Sequence, residues 1–263
     1  MLTPKYQSGL SLIEMMIALV ISSFLIIGVT QIYIDNKRSY AFQQSQAENQ
    51  EGSRFVQLFL QDELTKAGYR RRPDEPFESA FPADTTQGCG FNAGETIKRL
   101  SGSSICLRYQ PRDGTDRNCE GNTVGSAASV QNPYTKPSAN IVEKIELDTT
   151  KGEITCNGSS LVSGAADLRF EFGVGSAVAP QTIAKYIKVA PASTEPILTV
   201  RYTVLMRASG KSQRDAVTVD TALQNWTNLT GATTAEVAAL KAADSGQLYQ
   251  VSQGTVMLRN RMP

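Results

Sequence analysis

The sequence predicts an α+β protein in which one long N-terminal α-helix, membrane-embedded in its first half and amphipathic in its second, packs on a β-rich C-terminal globular domain. Three observations predict it. Residues 10–34 form a run of 25 with a single charge, Glu14. No proline occurs between Pro4 and Pro73, so nothing in that interval forbids a helix from continuing out of the apolar run. From Tyr69 onward, short apolar runs are separated by Gly, Ser, Asn and Pro, the pattern of strands joined by turns.

The apolar run comes first in the chain. At 1.5 Å per residue it makes roughly 37 Å of helix, enough to cross a hydrocarbon core of about 30 Å. A nine-residue leader, MLTPKYQSG, precedes it with Lys5 as its only charge, and Asp35, Lys37 and Arg38 follow it. A cleaved secretory signal would place a small-residue A-x-A site after the apolar stretch, but Gln31-Ile32-Tyr33-Ile34 stands there. A plain signal anchor leaves Glu14 unexplained, although an ionisable side chain at membrane depth costs about 2.5–3.5 kcal/mol. Such a residue marks a function, unless its carboxylate merely snorkels to the nearby interface.

Beyond the membrane run, Phe55, Val56, Phe59, Leu60, Leu64 and Ala67 recur at three- and four-residue steps and define one apolar face. That face is expected to pack against a sheet. Gly68 supplies a helix stop and Pro73 confirms it, so a helix over 10–67 would measure roughly 87 Å. Gly28 and Gly52 are places where it is free to bend. The clearest strands are 104–110, 140–148, 168–172, 183–189, 197–208 and 254–260, with a hairpin turning around Lys151-Gly152 between 145–148 and 153–156. A polar insert between the last two strands carries one helical piece, 233–243, with Val237 and Leu240 as a weak apolar stripe.

Composition narrows the function. The 263 residues carry 26 basic and 25 acidic side chains, a formal charge of +1, which argues against binding nucleic acid through a general basic field. There is no histidine, which removes Ser-His-Asp and Cys-His nucleophile chemistry and His-ligated zinc. The consecutive Arg70, Arg71 and Arg72 read as a solvated turn favoured by the helix C-terminal dipole, with a nucleic-acid patch as the sharper alternative. Four cysteines, Cys89, Cys106, Cys119 and Cys156, all follow the membrane segment. In an exported domain an even count is expected to form disulfides. Of three possible connectivities, sequential pairing, Cys89–Cys106 and Cys119–Cys156, is preferred. A zinc site is the rival, without a C-x-x-C pair to support it. Asp116-x-Asn118-x-Glu120-Gly121 follows the opening of a calcium loop, but Ala127 stands where the bidentate Glu belongs. Gly88-x-Gly90-x-x-Ala93 echoes a dinucleotide turn without the preceding strand. No metal, cofactor or catalytic residue is therefore expected.

The leader carries the most specific signal. Ser8-Gly9-Leu10-Ser11-Leu12-Ile13-Glu14 resembles the class III leader of type IV prepilins and type II secretion pseudopilins. The resemblance implies cleavage by prepilin peptidase between Gly9 and Leu10, N-methylation of Leu10, and a role for Glu14 as the fifth mature residue, pairing with a neighbouring subunit's amino terminus. A buried pair of that kind fixes register more than it adds stability. Leu10 departs from the phenylalanine usual there. Phe59-Leu60-Gln61-Asp62-Glu63-Leu64-Thr65-Lys66-Ala67-Gly68-Tyr69 resembles the end of the long helix in PilW-type minor pilins, and residues 198–207 resemble their penultimate long strand. Thr255-Val256-Met257-Leu258-Arg259-Asn260-Arg261 is similar to their closing strand. Arg259 and Arg261 then read as a charged strand end, with a subunit contact as the alternative.

The resemblance implies a type IV pilin-like fold divided into a cleaved leader (1–9), a transmembrane and assembly helix (10–34), its amphipathic continuation (35–68) and a β-rich periplasmic or extracellular domain (69–263). It implies a minor pilin that helps prime pilus assembly, sits with other minor pilins near the tip, and contacts the major pilin and the inner-membrane assembly platform. Before assembly the bilayer is its partner. The J-type pseudopilin of type II secretion shares this layout and is the nearest alternative; a membrane-anchored periplasmic enzyme or binding domain is the alternative of another class. Removal of residues 1–9 takes Lys5 and leaves 25 basic against 25 acidic side chains.

Overall fold

A computed structural model gives the chain at residues 9, 11–124, 132–137, 139–176, 178–192, 195–211, 213–214 and 217–261. The chain divides into two compact units, residues 1–44 and 45–263. Helix α1, Leu12–Lys66, belongs to both. It continues through Gly28 and Gly52 without interruption, so neither glycine breaks it. Gly52 serves packing instead: a Cβ there would lie 2.6 Å from Met206 Cε.

In the first unit, the apolar side chains of α1 are exposed all along the run, from Leu12 to Ile34. In the second unit one face of α1 is buried, through Ser45, Asn49, Ser53, Val56, Leu60, Glu63 and Leu64. The steps of three and four are those expected, but the face begins on small and polar residues. Phe55 lies outside it, exposed and stacked on Phe59 at 6.2 Å. The helix ends at Gly68, whose φ of +75° is left-handed and suits glycine.

Two antiparallel sheets build the rest of this unit. The first is a meander in chain order, β1 (Ile97–Arg99), β2 (Ser104–Tyr109), β3 (Ile141–Asp148), β4 (Glu153–Cys156) and β5 (Ser159–Ser163). The second runs β7 (Lys185–Ile187), β6 (Ala165–Val174), β8 (Ile197–Arg207), β9 (Tyr249–Met257). The β3–β4 hairpin pairs Ile145 with Cys156 and Asp148 with Glu153. The Asp148 carboxylate accepts from the N–H groups of Thr150 and Lys151 inside its turn.

One core joins α1 to both sheets. Val56, Leu60, Leu64 and Ala67 pack with Ile105, Leu107, Ile145 and Ile154 from the first sheet and Phe170, Phe172, Val200 and Val204 from the second. Side chains alternate along β8: Val200, Tyr202, Val204 and Met206 enter that core, whereas Leu205 meets Leu223 and Trp226 on the opposite face. That face is covered by two helices. Helix α3, Val219–Thr230, runs from a Thr218 N-cap to Gly231 in left-handed conformation, and helix α4, Thr234–Ala242, starts on a capping box of Thr233 and Glu236. A short helix α2, Phe77–Ala80, follows α1. Only α4 was expected from the sequence.

The C-terminal strand differs from the expectation of 254–260. It starts earlier, at Tyr249, and ends at Met257, and Arg259–Arg261 forms a 3-10 turn. The physical reason is that Asn260 leaves the sheet so that its side chain meets the carbonyls of Thr65 and Ala67 at the end of α1.

Candidate functional site

Gly9 is exposed, and the expected cleavage partner and methylation site, Leu10, lies outside the described residues, as does the leader over 1–8. The first described turn shows what holds Glu14. Ser11 is the N-cap: its N–H donates to Glu14 Oε2 at 3.0 Å, and its C=O accepts from the N–H groups of Glu14 and Met15. This is one arm of a capping box, in which an acid three residues in satisfies an orphan donor and complements the positive helix end. Within this unit the carboxylate of Glu14 thus has an intrahelical partner, on a surface otherwise built of exposed Leu, Ile, Met, Val and Phe side chains.

The hydroxyl groups inside the apolar run are also satisfied internally. Ser22 Oγ donates to Ala18 O at 2.7 Å and Ser23 Oγ to Val20 O at 2.8 Å, which is how a helix carries such groups through lipid. Polar surface begins where Gln31 Nε2 donates to Asp35 Oδ1. By length and composition α1 is apolar enough to cross a membrane, and none of its most apolar window is buried. So large an apolar surface requires lipid or other helices to cover it.

In the globular unit the sulfur atoms pair as Cys89–Cys106 and Cys119–Cys156. The first bond ties the segment after α2 to β2; the second ties the loop after β2 to β4. The loop with the calcium-like spacing has turned its oxygens inward. Asp116 accepts from the Arg112 backbone N–H and guanidinium, Asn118 Oδ1 accepts from the N–H groups of Glu120 and Asn122, and Glu120 accepts from Ser159 Oγ and Asn157 Nδ2. Ala127 lies outside the described residues. Gly88 and Gly90 have φ of +71° and +58° in a loop around a 3-10 turn, Thr86–Gly88.

The three consecutive arginines do not share one environment, which corrects the expected solvated turn. Arg71 is buried and donates to the carbonyls of Pro111, Arg112, Asn132 and Thr135. Arg70 lies 3.8 Å over the Phe77 ring and bonds Glu75 O, and Arg72 alone forms a surface pair, with Asp74. The closing arginines separate likewise: Arg259 is exposed, whereas Arg261 donates to Thr96 Oγ1 and lies 5.6 Å from the Phe77 ring.

Three constellations carry no local sequence signal. Asn260 Nδ2 reaches the end of α1, donating to Thr65 O at 2.8 Å and Ala67 O at 3.2 Å, with Lys66 O at 3.5 Å. Carbonyls that a helix C-terminus leaves orphaned are thus met by a side chain some 190 residues away. Arg108 is fully buried, between the carbonyls of Phe81, Pro82, Asn92 and Glu95. The last is acidic. Glu63 on α1 and Glu143 on β3 are both buried and face one another. Burial raises the Glu63 carboxyl, opposed by the Lys66 ammonium, which bonds both its oxygens at 2.9 Å. Burial and the neighbouring Glu63 push Glu143 up to about 8. Burial and Glu143 raise Tyr109 as well.

Two protein families match the chain. Residues 4–30 match the prokaryotic N-terminal methylation motif, and residues 135–260 match the family described as type IV pilus-assembly protein W. No curated protein matches. Among solved structures, a type IV-like pilin from Thermus thermophilus is similar at 12% identity, with a TM-score of 0.43, over 82% of this chain and 98% of that one. The chain is therefore similar to type IV pilus-assembly protein W over most of its C-terminal half and carries a match to the N-terminal methylation motif near its start.

Proposed function

We propose that this chain is a PilW-type minor pilin of the type IV pilus, a structural and interaction protein without a catalytic role or cofactor. Prepilin peptidase cuts between Gly9 and Leu10, and the new amino terminus at Leu10 is methylated. The helix over 10–34 holds the subunit in the inner membrane with residues 69–263 in the periplasm. The assembly platform then moves it into a complex with other minor pilins that primes the filament and remains near its tip, where it meets the major pilin at the cell surface. One observation carries the reading: a methylation motif at residues 4–30 stands in the same chain as a type IV pilus-assembly W match at 135–260.

Glu14 is the residue on which assembly turns. In the single chain its carboxylate holds the Ser11 N–H; in the filament it exchanges that contact for the positive amino terminus of a neighbouring subunit. The test is Glu14→Val in a strain where deletion of the protein leaves the cells non-piliated. The variant is expected to be processed and membrane-inserted yet to fail in restoring pili. Normal piliation by it would end the pairing role.

A further inference from the structure

We infer that Glu143 is a neutral acid in the folded protein, donating its proton to the Glu63 carboxylate, and that loss of this proton in alkaline solution releases the last turns of α1 from the first sheet. Glu143 Oε1 accepts from Tyr109 Oη and from the Cys119 N–H, both at 2.8 Å. Its Oε2 is buried and receives no hydrogen bond, and it belongs to a carboxyl that faces Glu63. Glu63 in turn takes both its hydrogen bonds from Lys66. An ionised Oε2 would be an unsatisfied buried charge beside a second carboxylate, which costs several kcal/mol. A proton on Oε2 removes that charge and supplies the missing hydrogen bond, as in other close carboxyl pairs.

The neighbours decide which acid keeps the proton. From α1 come Asp62, Glu63 and Lys66, and Lys66 also pairs with Asp62 at 3.1 Å. From β2 comes Tyr109, and from the segment after it Asp116, already paired with Arg112 at 2.9 Å. Arg117 contributes a carbonyl to Lys66 and Tyr109, and Cys119 an N–H. Among the described residues Lys66 is the cation in direct contact with the pair, and it sits on Glu63, so Glu63 is the ionised member and Glu143 the neutral one. Burial lowers the Lys66 ammonium, but Glu63 and Asp62 raise it overall, and Tyr109 is raised too. Neither titrates ahead of Glu143 as pH rises, so the first alkaline event at this junction is the loss of the Glu143 proton.

A folded-state acid raised above its unfolded value binds a proton that the unfolded chain has lost. The stability it confers is full below the unfolded value and declines as pH rises through the folded one, with the unfolding constant growing about tenfold per pH unit in between. The test uses the full-length protein in detergent micelles. Infrared difference spectra of the wild type against Glu143→Gln are expected to show one neutral carboxylic acid at pH 7, lost on titration through about pH 8, together with faster amide exchange over residues 60–67. Glu143→Gln, which keeps a donor toward Glu63, is expected to hold α1 in place across that range. If that variant fails to fold, Tyr109→Phe serves instead: it removes a donor to the ionised form, so the acid band should persist to higher pH. The absence of a neutral acid at pH 7, or exchange in α1 that ignores the titration, overturns the inference.

Discussion

Replacing Asn260 separates the hydrogen-bonding role of the C-terminal tail from mere burial, because one side chain meets the end of α1 through contacts at 2.8 Å and 3.2 Å, with a third at 3.5 Å. Asn260→Ala removes them. Each net hydrogen bond is worth about 0.5–1.5 kcal/mol, and water reaches part of this half-buried site, so the loss should total about 1–2 kcal/mol. Asn260→Asp keeps the shape but turns a donor into a charged acceptor aimed at carbonyls. It also adds about 0.3–1 kcal/mol of unfavourable interaction with the negative end of the helix dipole, for about 2–3 kcal/mol at pH 7. The sign of its pH dependence follows. The carbonyls raise the introduced carboxyl above its ordinary value near 3.9, so the deficit is present at neutral pH and shrinks as pH falls and the carboxyl gains a proton it can donate. The assay is urea unfolding in micelles followed by Trp226, the one tryptophan and fully buried. The quantity that matters is the gap between the Asp and Ala variants, about 1 kcal/mol at pH 7 and closing in acid. An Asp variant as stable as the wild type at pH 7, or a gap indifferent to pH, would refute the capping role.

Other expectations follow from the same packing. Removing both sulfurs of Cys119–Cys156, 37 residues apart, should cost about 0.7 kcal/mol more than removing Cys89–Cys106, 17 apart, on the loop-entropy dependence; unfolding midpoints in the reverse order would contradict that account. Gly254→Ala drives a Cβ into the Tyr202 hydroxyl and Cζ, so the ring must leave its site and its bond to Gln57 O at 3.2 Å. A cost of about 2–3 kcal/mol is expected, and a neutral midpoint would show that Tyr202 does not dock α1. Trp226→Ala empties the centre of the cluster with Leu205 and Leu223 and should cost about 3–5 kcal/mol, measured by circular dichroism because the fluorophore is gone.

What the sequence made legible was what short-range patterns encode. The long helix follows from an apolar run and the absence of proline, and α4 from the spacing of Val237 and Leu240. Helix α3 had comparable signals, Thr218 before it and Gly231 after it, with Val219, Leu223, Trp226 and Thr230 at three- and four-residue steps. They were diluted by polar residues, and the stripe gains meaning only when β8 supplies Leu205. The end of β9 misled for a different reason. Thr255-Val256-Met257-Leu258 reads as a strand that runs on to residue 260, but Asn260 turns away to meet α1, a partner far off in sequence. The face of α1 was legible at Val56, Leu60 and Leu64 and illegible at Ser45, Asn49 and Ser53, where small residues permit close approach and Asn49 bonds Leu248 O at 3.0 Å. Glu63 and Glu143 look like ordinary surface acids until the helix and β3 are brought together. The N-terminal motif is legible because its signal is local, a glycine before an apolar run with a glutamate five residues on, and residues 4–30 match the N-terminal methylation motif.

The most direct measurement of the central claim is the amino terminus of the mature protein, read by mass spectrometry on material from the cell envelope. The account predicts a chain that starts at N-methyl-Leu10 in a strain with prepilin peptidase and retains residues 1–9 in a strain without it. A chain that begins at Met1 in both strains would contradict it.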